Sequence, residues 1–213
     1  MNEISAIRRS NPPRMTQAER TALSDARMLK AAQELIAERG THNTTLREVG
    51  ERAGYSRGLA SNRFGSKEGL FSQLVLDFNR RWAEELRRTV GDSTGLPALA
   101  AALRTVEFYL INRPAEMRAL YILWFESMSS HDEVRQRLAL NHKAYRRDAE
   151  RWVREGIQEG TIRNTVDAKT FAVEFSSVIF GLIYQWLIDA DSIDVPAVFQ
   201  RYQRNVVEQL AVG

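Results

Sequence analysis

The chain of 213 residues contains no cysteine. A disulfide framework, a thiolate zinc site, an iron–sulfur cluster and a cysteine nucleophile are thereby excluded, and the count suits a reducing compartment. Histidine is scarce too: His42, His131 and His142 are the three present, none with a metal-ligand partner three or four residues further on. No glycine-rich phosphate loop or nucleophile elbow stands beside them, and the carboxylates are scattered among basic neighbours without an evident acid–base pair. The expectation is a protein that is not an enzyme and needs neither metal nor cofactor.

Strand signals are also missing. There is no Asn-Gly or Asp-Gly pair and no sustained alternation of apolar and polar residues. The first twenty residues lack an apolar run long enough for a secretory signal. The longest charge-free apolar stretch, Phe175 to Ile188, falls short of the roughly 20 residues needed to cross a bilayer and reads as a buried helix. A cytoplasmic protein with no membrane association is expected.

What remains is ordinary globular composition, 44% hydrophobic and 27% charged, enough to bury a core. The net charge of +3 conceals an asymmetry: residues 1–80 carry 13 basic and 9 acidic side chains, whereas residues 81–213 carry 17 and 18. The positive surplus belongs to the N-terminal part, as in a nucleic-acid-facing segment on a neutral body.

Periodicity is helical almost throughout. Met28, Leu29, Ala32, Leu35 and Ile36 form one stripe that Gly40 stops. Thr45 and Glu48 form a capping box for a short second helix closed by Gly54. Ser56 is placed to cap a third short helix through Phe64, and Ser66 a fourth carrying Phe71, Leu74, Val75, Phe78 and Trp82. After the break at residues 91–95, further helices include a long one from Asp132 to Glu159 and an apolar one from Asp167 to Ile188. The fold class is all-α, about nine helices. The expected domains are a basic arm over 1–20, a DNA-binding unit over 21–85 and a helical bundle over 86–213.

Two short helices joined through Ala53-Gly54-Tyr55 have the form of a helix-turn-helix, whose second helix enters the major groove. Arg57 and Asn62 can bond bidentately to guanine and adenine, and Leu59 can press on a thymine methyl. Ser56, Ser61, Arg63 and Lys67 suit phosphate oxygens. In the preceding arm, Arg8, Arg9, Arg14 and Arg20 could follow an adjacent minor groove.

The stretch Met28 to Leu76, with ERG, T-x-R-x-V, ERAG-x-S-R-G and RFGSKE-x-L in order, resembles the N-terminal domain of the tetracycline-repressor (TetR) family of bacterial transcriptional regulators. The resemblance implies that Thr45 and Arg47 contact DNA, that Arg57, Gly58, Leu59, Ser61, Asn62 and Arg63 occupy the recognition helix, and that Lys67 grips a phosphate. Ser61 stands where the family usually has tyrosine, and Arg63 where histidine or tyrosine is frequent. Also implied is a C-terminal helical domain that binds a small-molecule effector and pairs its last two long helices with those of a second subunit.

The residues of that part agree with both tasks. Small Ser177 and Gly181 lie in the most apolar helix beside Phe180, Tyr184 and Leu187, and the closing helix adds Phe199, Tyr202 and Val206; these are the candidate dimer-interface residues. Candidate effector contacts are Tyr109, Tyr121, Trp124, Phe125, Met128, His142, Tyr145 and Phe175, large side chains with a few polar ends. The expected function is a homodimeric, ligand-responsive repressor released from palindromic double-stranded DNA by an apolar or amphipathic effector. An activator or a ligand-independent DNA binder of the same fold is the alternative.

Overall fold

A computed structural model describes residues 15–130 and 132–212; Arg8, Arg9, Arg14 and His131 lie outside the described residues. Nine helices are found among them: α1 (Gln17–Arg39), α2 (Leu46–Arg52), α3 (Leu59–Phe64), α4 (Lys67–Val90), α5 (Gly95–Asn112), α6 (Pro114–Ser130), α7 (Asp132–Gln158), α8 (Ala168–Ile188) and α9 (Val195–Leu210). The all-α expectation holds, with one isolated bridge between Ile162 and Ala211 fastening the end of α9 to the loop after α7.

Local chemistry sets the helix ends. Thr16 and Glu19 form a reciprocal capping box, so α1 starts at Gln17 and the expected arm over 1–20 gives up its last residues to a helix. Thr45 and Glu48 make the second capping box, and Ser66 accepts from the Gly69 amide to cap α4. Helix α3 departs from expectation: its N-cap is Gly58, with no side-chain capping bond, and Ser56 instead supplies a backbone carbonyl to the Leu59 amide.

Helices α1 to α3 and the first half of α4 form a head around Met28, Leu35, Ile36, Val49, Ala60, Leu70 and Val75. The head core is completed by Ala119 and Leu123 of α6 and by Val134 and Leu138 of α7. Thr41, in the loop after α1, donates to the Glu126 carboxylate of α6, a further tie between head and body. Helix α4 runs unbroken through position 85, where the sequence places a domain boundary, and packs on α5 and α7 of the body. The boundary therefore falls inside a shared element.

The body core gathers α4, α5 and α6 with α7, α8 and α9 around residues such as Leu99, Tyr109, Trp152, Phe175, Phe199 and Leu210. Helix α8 has 21 residues and, by length and composition, is apolar enough to cross a membrane. Asp167 caps it, in line with the helix expected from Asp167 to Ile188, so it begins seven residues before the charge-free run that starts at Phe175. In this fold Phe171, Phe175, Ile179, Leu182 and Ile183 are buried in the body core.

Candidate functional site

The surface that can meet a nucleic acid is built by the turn between α2 and α3. Gly54 has φ +81°, the left-handed conformation that lets the chain reverse. Gly50 lets α2 approach the next segment closely: a Cβ there would stand 3.0 Å from the Ser56 carbonyl oxygen. At the other end, a Cβ on Gly69 would stand 2.1 Å from the Phe64 carbonyl oxygen, so only glycine admits this junction of α3 and α4.

On that scaffold Arg47, Ser56, Arg57, Ser61 and Asn62 are exposed. Arg57 pairs with Glu51 of α2 at 2.7 Å, but both side chains are well solvated, so the pair is weak and can yield to a phosphate or a base edge. Arg63 is turned toward α1, where it pairs with Asp25 at 2.7 Å. Leu59 is half-buried against the head core. The Thr45 hydroxyl donates to Glu48 at 2.6 Å within the capping box. Lys67 Nζ donates to the His42 carbonyl at 3.1 Å, bringing the start of α4 beside the start of α2. Gly58 is open: among the described residues no atom lies within 4 Å of a Cβ built on it.

In the body, α4 to α8 surround an open cleft of about 650 Å³, a volume that includes the solvent space at its mouth. Of the eight candidate effector contacts, Trp124, Tyr145 and Phe175 line it. Tyr109 and Tyr121 are buried beside it, Tyr109 against Phe78 and Trp82, and Tyr121 donating to the Phe180 carbonyl at 3.1 Å. Burial raises the Tyr121 phenol far above its ordinary value. His142 stacks on Phe180 at 4.7 Å and meets Trp124 edge-on at 4.8 Å. Burial, reinforced by Arg146, lowers its pKa and favours the neutral imidazole.

Phe125 and Met128 do not belong to the cleft. They are 49% and 67% exposed: Phe125 lies about a quarter turn off the inward face that bears Met117, Leu120 and Trp124, while Met128, on that face, lies one turn beyond Trp124 near the end of α6 and is left uncovered. Phe125 packs instead on Tyr184 at 5.3 Å.

Lining residues that the sequence does not single out are Phe78 and Trp82 of α4, Asp148 and Trp152 of α7, and Phe180 of α8, a residue of the apolar helix expected at the dimer interface. Trp82 and Trp152 were legible as apolar stripe positions, which could not distinguish core from cleft. Asp148, three residues after Tyr145, is an acidic residue at the edge of the α7 stripe of Leu138, His142, Tyr145, Ala149 and Trp152, a signal that could have been read. The indole N–H groups of Trp82, Trp124 and Trp152 are buried without an acceptor among the described residues.

The interface candidates also divide. Ser177, Gly181 and Tyr184 lie with Val173 and Ile188 on one outward stripe of α8, where a Cβ at Gly181 would meet nothing within 4 Å. Tyr202 is half-buried against Phe175. Leu187, Phe199 and Val206 are already buried by the single chain, so a partner has little surface left to cover there.

Residues 28–74 match the family model described as bacterial regulatory proteins, tetR family, and residues 120–201 match that described as the tetracyclin repressor-like C-terminal domain. The chain is 25% identical over 192 residues to the HTH-type transcriptional repressor KstR2 of Rhodococcus jostii, covering 86% of this chain and 89% of the relative. It is 22% identical over 186 residues to the fatty acid metabolism regulator protein of Bacillus subtilis, covering 87% and 93%. These relatives are regulators, not enzymes, in line with the absence of catalytic motifs. Among solved structures, the SmeT–triclosan complex superposes with a TM-score of 0.75 at 20% identity, over 89% of this chain and 92% of that one. A chain from Saccharomonospora viridis in complex with choline gives 0.77 at 20% identity, over 90% and 100%. At these identities the likeness is one of fold.

Proposed function

The chain belongs to the tetR family of bacterial regulatory proteins, and from that membership we propose that it is a cytoplasmic, homodimeric repressor released from a palindromic operator by a small apolar or amphipathic effector. The observation that carries this reading is the continuity of α4. Its N-terminus holds Lys67 and the Gly69 junction with α3, and its second half supplies Phe78, Trp82 and Leu86 to the cleft wall. An occupant that fits better with α4 displaced shifts the recognition helices with it, and DNA and effector then weaken each other's binding by the same factor. Ligand complexes among the structural neighbours, with triclosan and with choline, support a small-molecule effector.

Arg57 and Asn62 read bases, Arg47, Ser56, Ser61 and Lys67 hold phosphates, and Thr45 orders the start of α2. The outward α8 stripe, extended by Phe125 on Tyr184, pairs two chains so that their recognition helices stand roughly 34 to 36 Å apart, one turn of DNA or a multiple of it. Titration of the protein against DNA from its own upstream region, by gel shift and fluorescence anisotropy, tests the reading. Specific binding is expected for the native protein and its loss for Arg57→Ala with Asn62→Ala, while the dimer persists. Specificity retained by that double variant overturns the assignment of the reading helix.

A further inference from the structure

We propose that the body cleft is built for an apolar cation, with the Asp148 carboxylate as its counter-charge and the surrounding rings as its walls. This rests on the reading of the cleft as the effector site and adds the charge class of the occupant. Among the described residues, the lining contains Asp148 and no lysine, arginine or histidine. Trp82, Trp124, Tyr145 and Trp152 line the same space, and the face of an aromatic ring attracts positive charge. Trp82 and Tyr145 meet edge to face at 6.0 Å, while Trp124 stands edge-on to Phe180 at 5.4 Å.

Asp148 is only loosely paired within the fold. Its side chain is 27% exposed, and its contacts with Arg147 and Arg151 are both at the long distance of 3.9 Å. Those guanidinium groups are 74% and 53% exposed on the solvent side, Arg151 lying 5.6 Å over the Trp152 ring. Burial raises the Asp148 carboxyl above its ordinary value in spite of the two arginines, so its charged form lacks close support. A cation in the cleft supplies that support. A carboxylate-headed ligand finds the indole N–H groups of Trp82, Trp124 and Trp152 as donors, but its charge lies beside another carboxylate and, among the described residues, no basic group lines the cleft to offset it.

Three probes of equal chain length separate the classes: decyltrimethylammonium, 1-decanol and decanoate, each below its micellar concentration. Three of the four tryptophans line the cleft, so quenching of intrinsic fluorescence reports occupancy directly. The cation is expected to bind roughly tenfold more tightly than the alcohol, and decanoate more weakly than either. Asp148→Asn is expected to collapse the advantage of the cation over the alcohol and Asp148→Glu to keep much of it, with far-UV circular dichroism and thermal unfolding showing that both variants are folded. Decanoate binding as tightly as the cation, an unchanged ratio in Asp148→Asn, or no binding by any probe overturns the proposal. Release of operator DNA by the alcohol or decanoate and not by the cation would leave the effector reading standing while removing the cation. Failure of every occupant to affect DNA binding would remove the effector reading and leave the charge preference intact.

Discussion

The Tyr145 hydroxyl donates a 2.6 Å hydrogen bond to Asn79 Oδ1, and Asn79 Nδ2 donates in turn to the Val75 carbonyl of α4, also at 2.6 Å. Tyr145 lines the cleft, and Asn79 lies twelve residues from the start of the helix that leads to the recognition unit. A direct polar link thus joins the candidate sensor wall to the element that positions the DNA-reading surface.

Cutting this link should separate binding from response. Tyr145→Phe keeps the ring and removes the donor, while Asn79→Ala removes the acceptor. Both should bind an effector within a few-fold of the native protein and lose at least about threefold of its effect on DNA affinity, set against couplings that commonly span about 5–150-fold. Ligand affinity by fluorescence and operator affinity by anisotropy, with and without ligand, decide it. Full coupling in both variants would show that α4 is moved by other contacts.

The α3–α4 junction is intolerant of a single methyl group. Gly69→Ala forces a carbon against the Phe64 carbonyl, and the backbone must shift, at a cost of about 2 kcal/mol or more. The thermal midpoint should fall by several degrees, and specific DNA binding should weaken because α3 moves relative to α4. Native stability in this variant would contradict the tight junction.

Charge on the outward face of α8 should break pairing. Ile188 is 72% exposed and Tyr184 46% in the single chain, so Tyr184→Glu with Ile188→Glu disturbs little within it. Sedimentation should show monomers with native helicity, and operator binding should fall by at least about a hundredfold as the two half-sites cease to be engaged together. A persisting dimer would place the interface elsewhere.

His142 predicts an acid-side loss of stability. Burial holds its folded pKa below the ordinary 6.5, so the unfolded chain takes up a proton first. Its neutral ring costs nothing above pH 6.5, and the stability it permits is lost progressively as pH falls from there toward the lowered folded value. Thermal midpoints measured from pH 8 to 5.5 should drop more steeply for the native protein than for His142→Phe. Equal slopes would exclude His142 as the source.

Much of the fold was legible because short-range interactions determine it. Capping boxes at Thr45–Glu48, the Ser66 cap, the glycine stops and the apolar stripes all act within one or two turns, and each helix expected from them is present. The candidate site was less legible. A stripe shows that Trp124, Phe125 and Met128 are large and near one another, but only the packing of α6 decides that Trp124 meets the cleft, that Phe125 turns outward and that Met128, a turn beyond Trp124, is left uncovered.

The amino-acid order alone therefore determined an all-helical chain with two short helices about a glycine turn and a polar, arginine-bearing second member. Tertiary structure decided that Arg63 turns to Asp25 rather than outward, that α6 and α7 complete the core of the head, and that Asp148 enters an aromatic cleft. The reason is physical: caps and stripes depend on residues three or four apart, whereas these placements depend on how helices distant in sequence cross and rotate against each other.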